Sequence, residues 1–393
     1  MVIKTWYPLA PISLIFLLAA GPAKAAPVAP EPLPVDEASP TWTGAQIVSA
    51  DRAGHVFFFR GDTFDVYPVT KTGSFGDPVH LETTAAPNQM VHDAVLSPSG
   101  DRWLVYGDLA VRLFVDGKEK AVPPIPWKPW SIGLRRDEPV VAVLPLPMGG
   151  QSVDIDKAGT PPSFLEFDGD RWSSALDLKG VSVSEVLHQK GKLNEIVADR
   201  AVYLTSDRQG RLWAAGQYRY RVQRFLPGFH KDLEILVGHG EVHKKEQEDK
   251  PIELARTDPA QNPTEATRNP LKEKSTYTPF SGLPVVLDLT EGRDGRIYLL
   301  VRTDQGGAAL DRFDATLLRL ERVPLEMTPQ GRYTIASGRD GLYIAAWSGR
   351  EGRWRISWDA LEQAKWKPVK GCEIDGVPME EVSAPKPQPA AKP

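Results

Sequence analysis

From Trp42 to Val377 the chain alternates short apolar or aromatic runs with turns built from Asp, Ser, Pro and Gly. The clearest stretch is Val202 to Gly238. It reads Val202-Tyr203-Leu204-Thr205-Ser206, the turn Asp207-Arg208-Gln209-Gly210, then Arg211-Leu212-Trp213-Ala214-Ala215. A polar Gly216-Gln217-Tyr218-Arg219-Tyr220 leads to Arg221-Val222-Gln223-Arg224-Phe225 and a Pro227-Gly228 turn. Runs of this length, rich in β-branched and aromatic residues and bounded by Gly and Asp, predict successive strands joined by tight hairpins.

The same unit recurs along the chain. Asp51-Arg52-Ala53-Gly54 precedes His55-Val56-Phe57-Phe58-Phe59, and Ser97-Pro98-Ser99-Gly100 precedes Arg102-Trp103-Leu104-Val105-Tyr106. Gly292-Arg293-Asp294-Gly295 precedes Arg296-Ile297-Tyr298-Leu299-Leu300, and Gly338-Arg339-Asp340-Gly341 precedes Leu342-Tyr343-Ile344-Ala345-Ala346. A further aromatic run follows each, as in Arg112-Leu113-Phe114-Val115-Asp116-Gly117, Leu310-Asp311-Arg312-Phe313-Asp314 and Arg355-Ile356-Ser357-Trp358-Asp359. A sixth unit is degraded: Arg135-Arg136-Asp137-Glu138-Pro139 replaces the turn, Val140 to Leu144 the strand, and Phe164 to Trp172 supplies the second hairpin. Gly54 to Gly100 and Gly295 to Gly341 are both 46 residues apart. Two hairpins per unit at such a period predict an all-β, six-bladed β-propeller of four-stranded antiparallel blades. A seventh blade follows if Gly180 to Arg200, with Val181 to Val186 as a strand, holds another unit.

Around this core, residues 1–25 read as an export signal: Lys4, an apolar run from Leu9 to Ala20, and Ala23-Lys24-Ala25 before a cleavage point. The run is short for a bilayer span, and no cysteine stands at the cleavage point to take a lipid. Residues 26–40 are Pro/Ala-rich and read as an extended linker, 41–377 as the propeller, and 378–393 as a disordered Pro-rich tail. Pro145 to Ser163 is a Gly/Pro-rich insertion. A longer one, 239–282, is interrupted by Pro251, Pro259, Pro263, Pro270 and Pro279, and reads as a loop on one face. Ala360 to Lys365 suits one helical turn, and Cys372 to Val377 a last strand.

Composition narrows the function. Acidic residues number 51 against 47 basic, and loss of Lys4 and Lys24 brings the net charge to about −6, which suits neither nucleic acid nor an anionic membrane surface. The single cysteine, Cys372, makes no internal disulfide. Export without disulfides points to a bacterial periplasmic or secreted protein.

The opening stretch resembles NHL-repeat propellers, and more loosely the gluconolactonase-like and two-component-regulator propellers. The match lies in Asp207, Gly210, Arg211, Leu212 and Trp213, then Arg221, Val222, Gln223 and Phe225. Arg219 stands where the NHL pattern usually has Asn. The full pattern occupies one blade; the others share the turn and the aromatic strand. The resemblance implies the fold, and it admits both enzymes and binding modules.

Few constellations suggest chemistry. In an extended strand His239, Glu241 and His243 face one side, a donor set for Zn²⁺ or another first-row metal. The amidating lyases of the NHL-like group resemble this in using propeller histidines for metal. The alternative is a solvated loop, since Gly238 and Gly240 flank the motif and Lys244-Lys245-Glu246 follow. Gln217 to Arg221 offers Tyr218, Arg219, Tyr220 and Arg221 either as a sugar- or carboxylate-binding rim or as a plain inter-strand turn. His55, His80, His92, His188 and His230 have no partner legible in sequence, and Asp93 points away from His92 on a strand. A central Ca²⁺ site, as in lactonase-like propellers, would draw carboxylates from several blades, with Glu185, Asp288 and Glu291 available. Cys372 reads as structural, and Trp103, Trp213, Tyr298 and Tyr343 as repeated core aromatics. No Gly-x-Ser-x-Gly elbow or phosphate-binding Gly-x-x-x-x-Gly-Lys motif is present.

Two functions fit this reading. The first is an exported, non-catalytic scaffold that binds a protein, peptide or glycan partner through one face, without a cofactor. The second is a metal-dependent lyase or lactonase-type hydrolase, using Zn²⁺ or Ca²⁺ at the central pocket.

Overall fold

The computed structural model describes residues 26–34, 45–84, 90–107, 110–147, 162–177, 200–238, 285–348 and 352–379. The seventh-blade candidate at Val181 to Val186 lies outside them.

Each turn motif folds its two flanking runs into an antiparallel pair, and two such hairpins make a blade. After a short N-terminal strand β1 (Glu31–Pro32), blade one holds β2 (Gln46–Ala50), β3 (Val56–Arg60), β4 (Asp65–Pro68) and β5 (Val79–His80). Blade two holds β6 (Val91–Leu96), β7 (Arg102–Gly107), β8 (Ala110–Val115) and β9 (Lys118–Lys120). Blade three holds β10 (Trp127–Arg135), β11 (Glu138–Pro147), β12 (Pro162–Phe167) and β13 (Trp172–Asp177). In blade four come β14 (Val202–Ser206), β15 (Leu212–Gly216), β16 (Arg221–Leu226) and β17 (His230–Val237). Blade five has β18 (Val286–Glu291), β19 (Ile297–Arg302), β20 (Ala308–Asp314) and β21 (Arg319–Leu325), and blade six β22 (Tyr333–Ser337), β23 (Gly341–Ala346) and β24 (Arg353–Ser357). The architecture is a six-bladed propeller with almost no helix. No helix among the described residues is long and apolar enough to cross a membrane.

The turns explain the hairpins. Gly54, Gly100, Gly210 and Gly295 all have φ between 76° and 84°, a region that only glycine enters without steric cost. The degraded turn of blade three uses another solution: Arg136 and Asp137 both have positive φ, 51° and 67°, and join β10 directly to β11 with Arg135 paired to Glu138. Two consecutive left-handed residues are the signature of a two-residue hairpin turn, so this turn lost its glycine and kept its function.

Packing between blades falls to the repeated aromatics. Trp103, Trp213, Tyr298 and Tyr343 are all buried. Trp213 meets Phe313 of the next blade with ring centroids 6.0 Å apart, and Trp103 meets Phe59 of the preceding blade at 5.8 Å. Each of three polar tips also locks its own turn: Trp213 Nε1 donates to Asp207 (2.9 Å), Tyr298 Oη to Asp294 (3.0 Å) and Tyr343 Oη to Asp340 (2.8 Å).

The ring closes at its N-terminal end. Within the stretch read as a linker, β1 supplies the fourth strand of blade six by pairing with β24. Leu33 is buried there, its N–H donates to Arg353 O (2.9 Å), and Glu31 pairs with Arg355 at 2.8 Å. The C-terminal end borders blades four and five. Helix α1 (Trp358–Gln363), capped by Ser357, follows β24, packing Trp358 on Tyr298 of blade five at 5.8 Å. Next, β25 (Lys367–Pro368) extends blade five, and β26 (Cys372–Ile374) with β27 (Val377–Pro378) extend blade four.

Candidate functional site

The six first strands surround a central channel. Aligned on their turns, Ile47, Asp93, Ser131, Tyr203, Asp288 and Thr334 occupy one equivalent position, forming a tier across the channel. Four of them reach the neighbouring blade. Asp93 accepts from Ile132 N (3.3 Å), Asp288 accepts from Ile335 N (2.8 Å), Thr334 accepts from Val48 N (3.0 Å), and Ser131 Oγ donates to Val202 O. The second carboxylate oxygen of each Asp takes the N–H of the following residue, Ala94 or Leu289. Both Asp residues sit at a register irregularity of their strand, which turns the side chain toward the next blade.

Arg332, just before β22, supplies the cation of this tier. Its Nη2 lies 3.6 Å from Asp93 Oδ2, and its guanidinium sits 5.6 Å from the Tyr203 ring centroid. Tyr203 accepts a hydrogen bond from Gln217 Nε2 (2.9 Å). Burial pushes the Asp288 carboxyl up to about 8, and the Asp93 charge adds to it against the two N–H donors and Arg332. Burial likewise raises Asp93, with Arg332 opposing. Burial also drives the phenols upward, Tyr106 to about 12 and Tyr203 and Tyr218 above their ordinary range. For Arg332, burial works against the charge, yet Asp93, Tyr203 and Asp288 together hold its pKa above the usual guanidinium range.

A cavity of about 360 Å³ follows the channel. Asp93, Tyr203, Asp288 and Thr334 line it toward the strand-start end; Arg52, Arg208, Arg293 and Arg339 line it at the tight-turn end. The two ends differ in construction. Among the described residues the longest connection at the tight-turn end, 69–78, has ten residues. The three longest connections, 148–161, 178–201 and 238–285, all leave strands at the other end.

The residues singled out in sequence scatter. His239, Glu241 and His243, the metal candidates, lie outside the described residues, as do His188 and Glu185. Among the described residues no group of three His, Cys, Asp or Glu side chains is placed to hold a metal ion. Asp288 and Glu291 do line the channel together, but Asp288 spends its oxygens on two N–H groups and Glu291 accepts from Arg208 N (2.8 Å). The Gln217 to Arg221 turn is neither a rim nor fully solvated. Tyr218 and Tyr220 are buried, Tyr220 Oη donates to Asp311 (2.6 Å), and Arg221 pairs with Glu234 (2.5 Å). Among the histidines, His55 pairs with Asp51 at 2.7 Å, His80 pairs with Asp65 at 2.9 Å, and the His92 ring lies 5.1 Å from that of Tyr106. Cys372 is buried beside Tyr220 and Asp311, and burial pushes its thiol up to about 12. Arg332 belongs to no motif and carried no signal in sequence, and Asp93 was legible there only as a neighbour of His92. The usable signal was alignment on the turns, which puts Asp93 and Asp288 in register.

No protein-family model and no curated protein sequence matches this chain. Solved structures similar to it include a streptogramin B lyase, at 13% identity over 86% of each chain with a TM-score of 0.44. A protein of unknown function from Bacteroides thetaiotaomicron shares 12% identity over 85% of this chain and 75% of its own, at 0.47. The WD40 repeats of RRP9 share 10% over 84% and 98%, at 0.42.

Proposed function

We propose that the protein is an exported binding propeller that holds a protein, peptide or glycan partner on the face where the first strands begin. The observation that supports this most is the asymmetry of the ring: the three longest connections leave and re-enter strands at that face, whereas no connection between strands at the opposite end exceeds ten residues among the described residues. Binding residues concentrate on long connections held by a rigid scaffold, because such segments vary without disturbing the blades. The channel tier points the same way. The carboxylates of Asp93 and Asp288 are spent on neighbouring main-chain N–H groups, so they act as latches between blades and have little capacity left to act on a substrate.

In-cell cross-linking in the source cells, read by mass spectrometry, tests this reading. Replacing 239–282 by a short Gly/Ser linker is expected to abolish the cross-linked partner, whereas Leu317→Ser, on the opposite face, leaves it in place. A partner retained by the linker variant and lost in Leu317→Ser reverses the assignment. Metal analysis separates the enzyme reading: stoichiometric Zn²⁺ or Ca²⁺ that disappears in a His239→Ala/His243→Ala variant would overturn the non-catalytic assignment.

A further inference from the structure

The tight-turn end of the channel carries a pattern that the fold does not require. Aligned by blade, the second turn position is Arg52, Pro98, Arg136, Arg208, Arg293 and Arg339. Five of the six blades therefore place an arginine at the same mouth. Blade two folds with Pro98 there, so the residue type is not needed to make the turn, which takes its shape from the neighbouring Gly or left-handed residues.

The carboxylates at this mouth are largely committed. Asp51 accepts from His55 N (2.9 Å) and pairs with its ring (2.7 Å). Asp207 is buried and accepts from Gln209 N, Arg211 N and Trp213 Nε1. Glu291 accepts from Arg208 N, and Arg208 Nε forms a long ion pair with it at 3.8 Å. Two of the arginines are also engaged: Arg293 pairs with Glu362 at 3.0 Å and lies over Trp358, and Arg136 packs across Gly210, where a Cβ would fall 2.9 Å from Arg136 Cγ.

The other three behave differently. Arg52 Nη2 donates to Arg208 O (3.1 Å), reaching from blade one to blade four across the channel. Arg208 Nη1 donates to Arg293 O (2.9 Å), and Arg339 Nε to Ala53 O (2.7 Å). These are hydrogen bonds to neutral carbonyls, and they use one N–H of the five that each guanidinium carries. All three side chains belong to exposed residues lining the cavity of about 360 Å³. Guanidinium groups tethered to main chain, facing a shared cavity and with donors to spare, are pre-organised to fork onto anionic oxygens.

We propose that this mouth is a binding site for a small anion bearing two or more anionic oxygens, held by Arg52, Arg208 and Arg339. Polycarboxylates and phosphate groups share that chemistry. The site lies at the opposite end of the ring from the proposed partner face and does not depend on it.

Titration calorimetry of the mature chain at low ionic strength, with citrate and with inorganic phosphate as separate probes, tests the site. One-to-one binding of either probe is expected, and the probe that binds identifies the carboxylate or the phosphate class. Arg52→Gln/Arg339→Gln is expected to weaken binding at least tenfold, and Arg52→Lys/Arg339→Lys, which keeps charge and loses the fork, by less. Pro98→Arg adds a guanidinium at the sixth turn and is expected to tighten binding. It also serves if the double Gln variant unfolds, since Pro98 contributes only its carbonyl, to Arg52 N. Failure of both probes to bind, or an affinity unchanged by the Gln pair and by Pro98→Arg, would overturn the assignment.

Discussion

Asp93 and Asp288 stand at one equivalent position of blades two and five, on opposite sides of the channel, and each latches its blade to the next through a single carboxylate oxygen. The acceptors meet Ile132 N at 3.3 Å and Ile335 N at 2.8 Å. A main-chain N–H at the inner edge of a blade has no ladder partner, and leaving it unpaired away from water costs about 1–3 kcal/mol. The two carboxyl groups satisfy these donors, and Arg332 opposes the burial penalty on the Asp93 charge.

The pH dependence of stability should carry the mark of Asp288. Its folded value of about 8 lies above the roughly 3.9 of an unfolded Asp. The folded chain thus binds the extra proton between those values, and stability falls as pH rises through that window. Asp288→Asn is expected to remove this component, so its unfolding midpoint should decline less than wild type between pH 5 and 8. Identical pH profiles for the two proteins would count against the assignment.

The pair should also be coupled. Because the Asp93 charge helps to raise Asp288, Asp93→Asn is expected to move the Asp288 titration to lower pH. Carboxyl carbon shifts followed by NMR would show it.

Trp213→Ala is expected to cost about 3–5 kcal/mol, as a buried aromatic is lost and its cavity only partly collapses. Trp213→Phe keeps most of the volume and removes one donor to Asp207, whose Oδ2 still accepts from Arg211 Nε, and should cost less. Equilibrium denaturation gives both values.

Closure of the ring predicts that Leu33→Ala, far from any other blade-six residue in sequence, destabilises the chain by about 2–3 kcal/mol. Hydrogen exchange should quicken in β24, which pairs with β1. A chain starting after Pro34 should lose more, because Glu31 and its pairing with Arg355 go with it.

Cys372 is expected to react slowly with Ellman's reagent in the native state and rapidly in denaturant. It is buried, and its thiol sits at about 12, raised first by burial and then by Asp311 and Glu373.

Local chemistry alone determined the blades. Turn shape depends on a few consecutive residues, so Asp207 to Gly210 and its counterparts marked the hairpins. Strand alternation then placed Trp213, Tyr298 and Tyr343 in the core. Even the degraded Arg135 to Glu138 turn was legible, because its neighbours kept the pattern. Tertiary structure decided what meets across the axis. Blades one and four touch through Arg52 and the Arg208 carbonyl only once the ring has closed. Likewise, Asp93, Asp288 and Arg332 share one tier only because blades two, five and six converge there. Strand β1 joins β24 over most of the chain length, a pairing without local signal, since two residues such as Glu31–Pro32 carry no strand preference of their own. What one segment does to itself is written in its own residues; what distant segments do to one another depends on the distances that closure of the ring imposes.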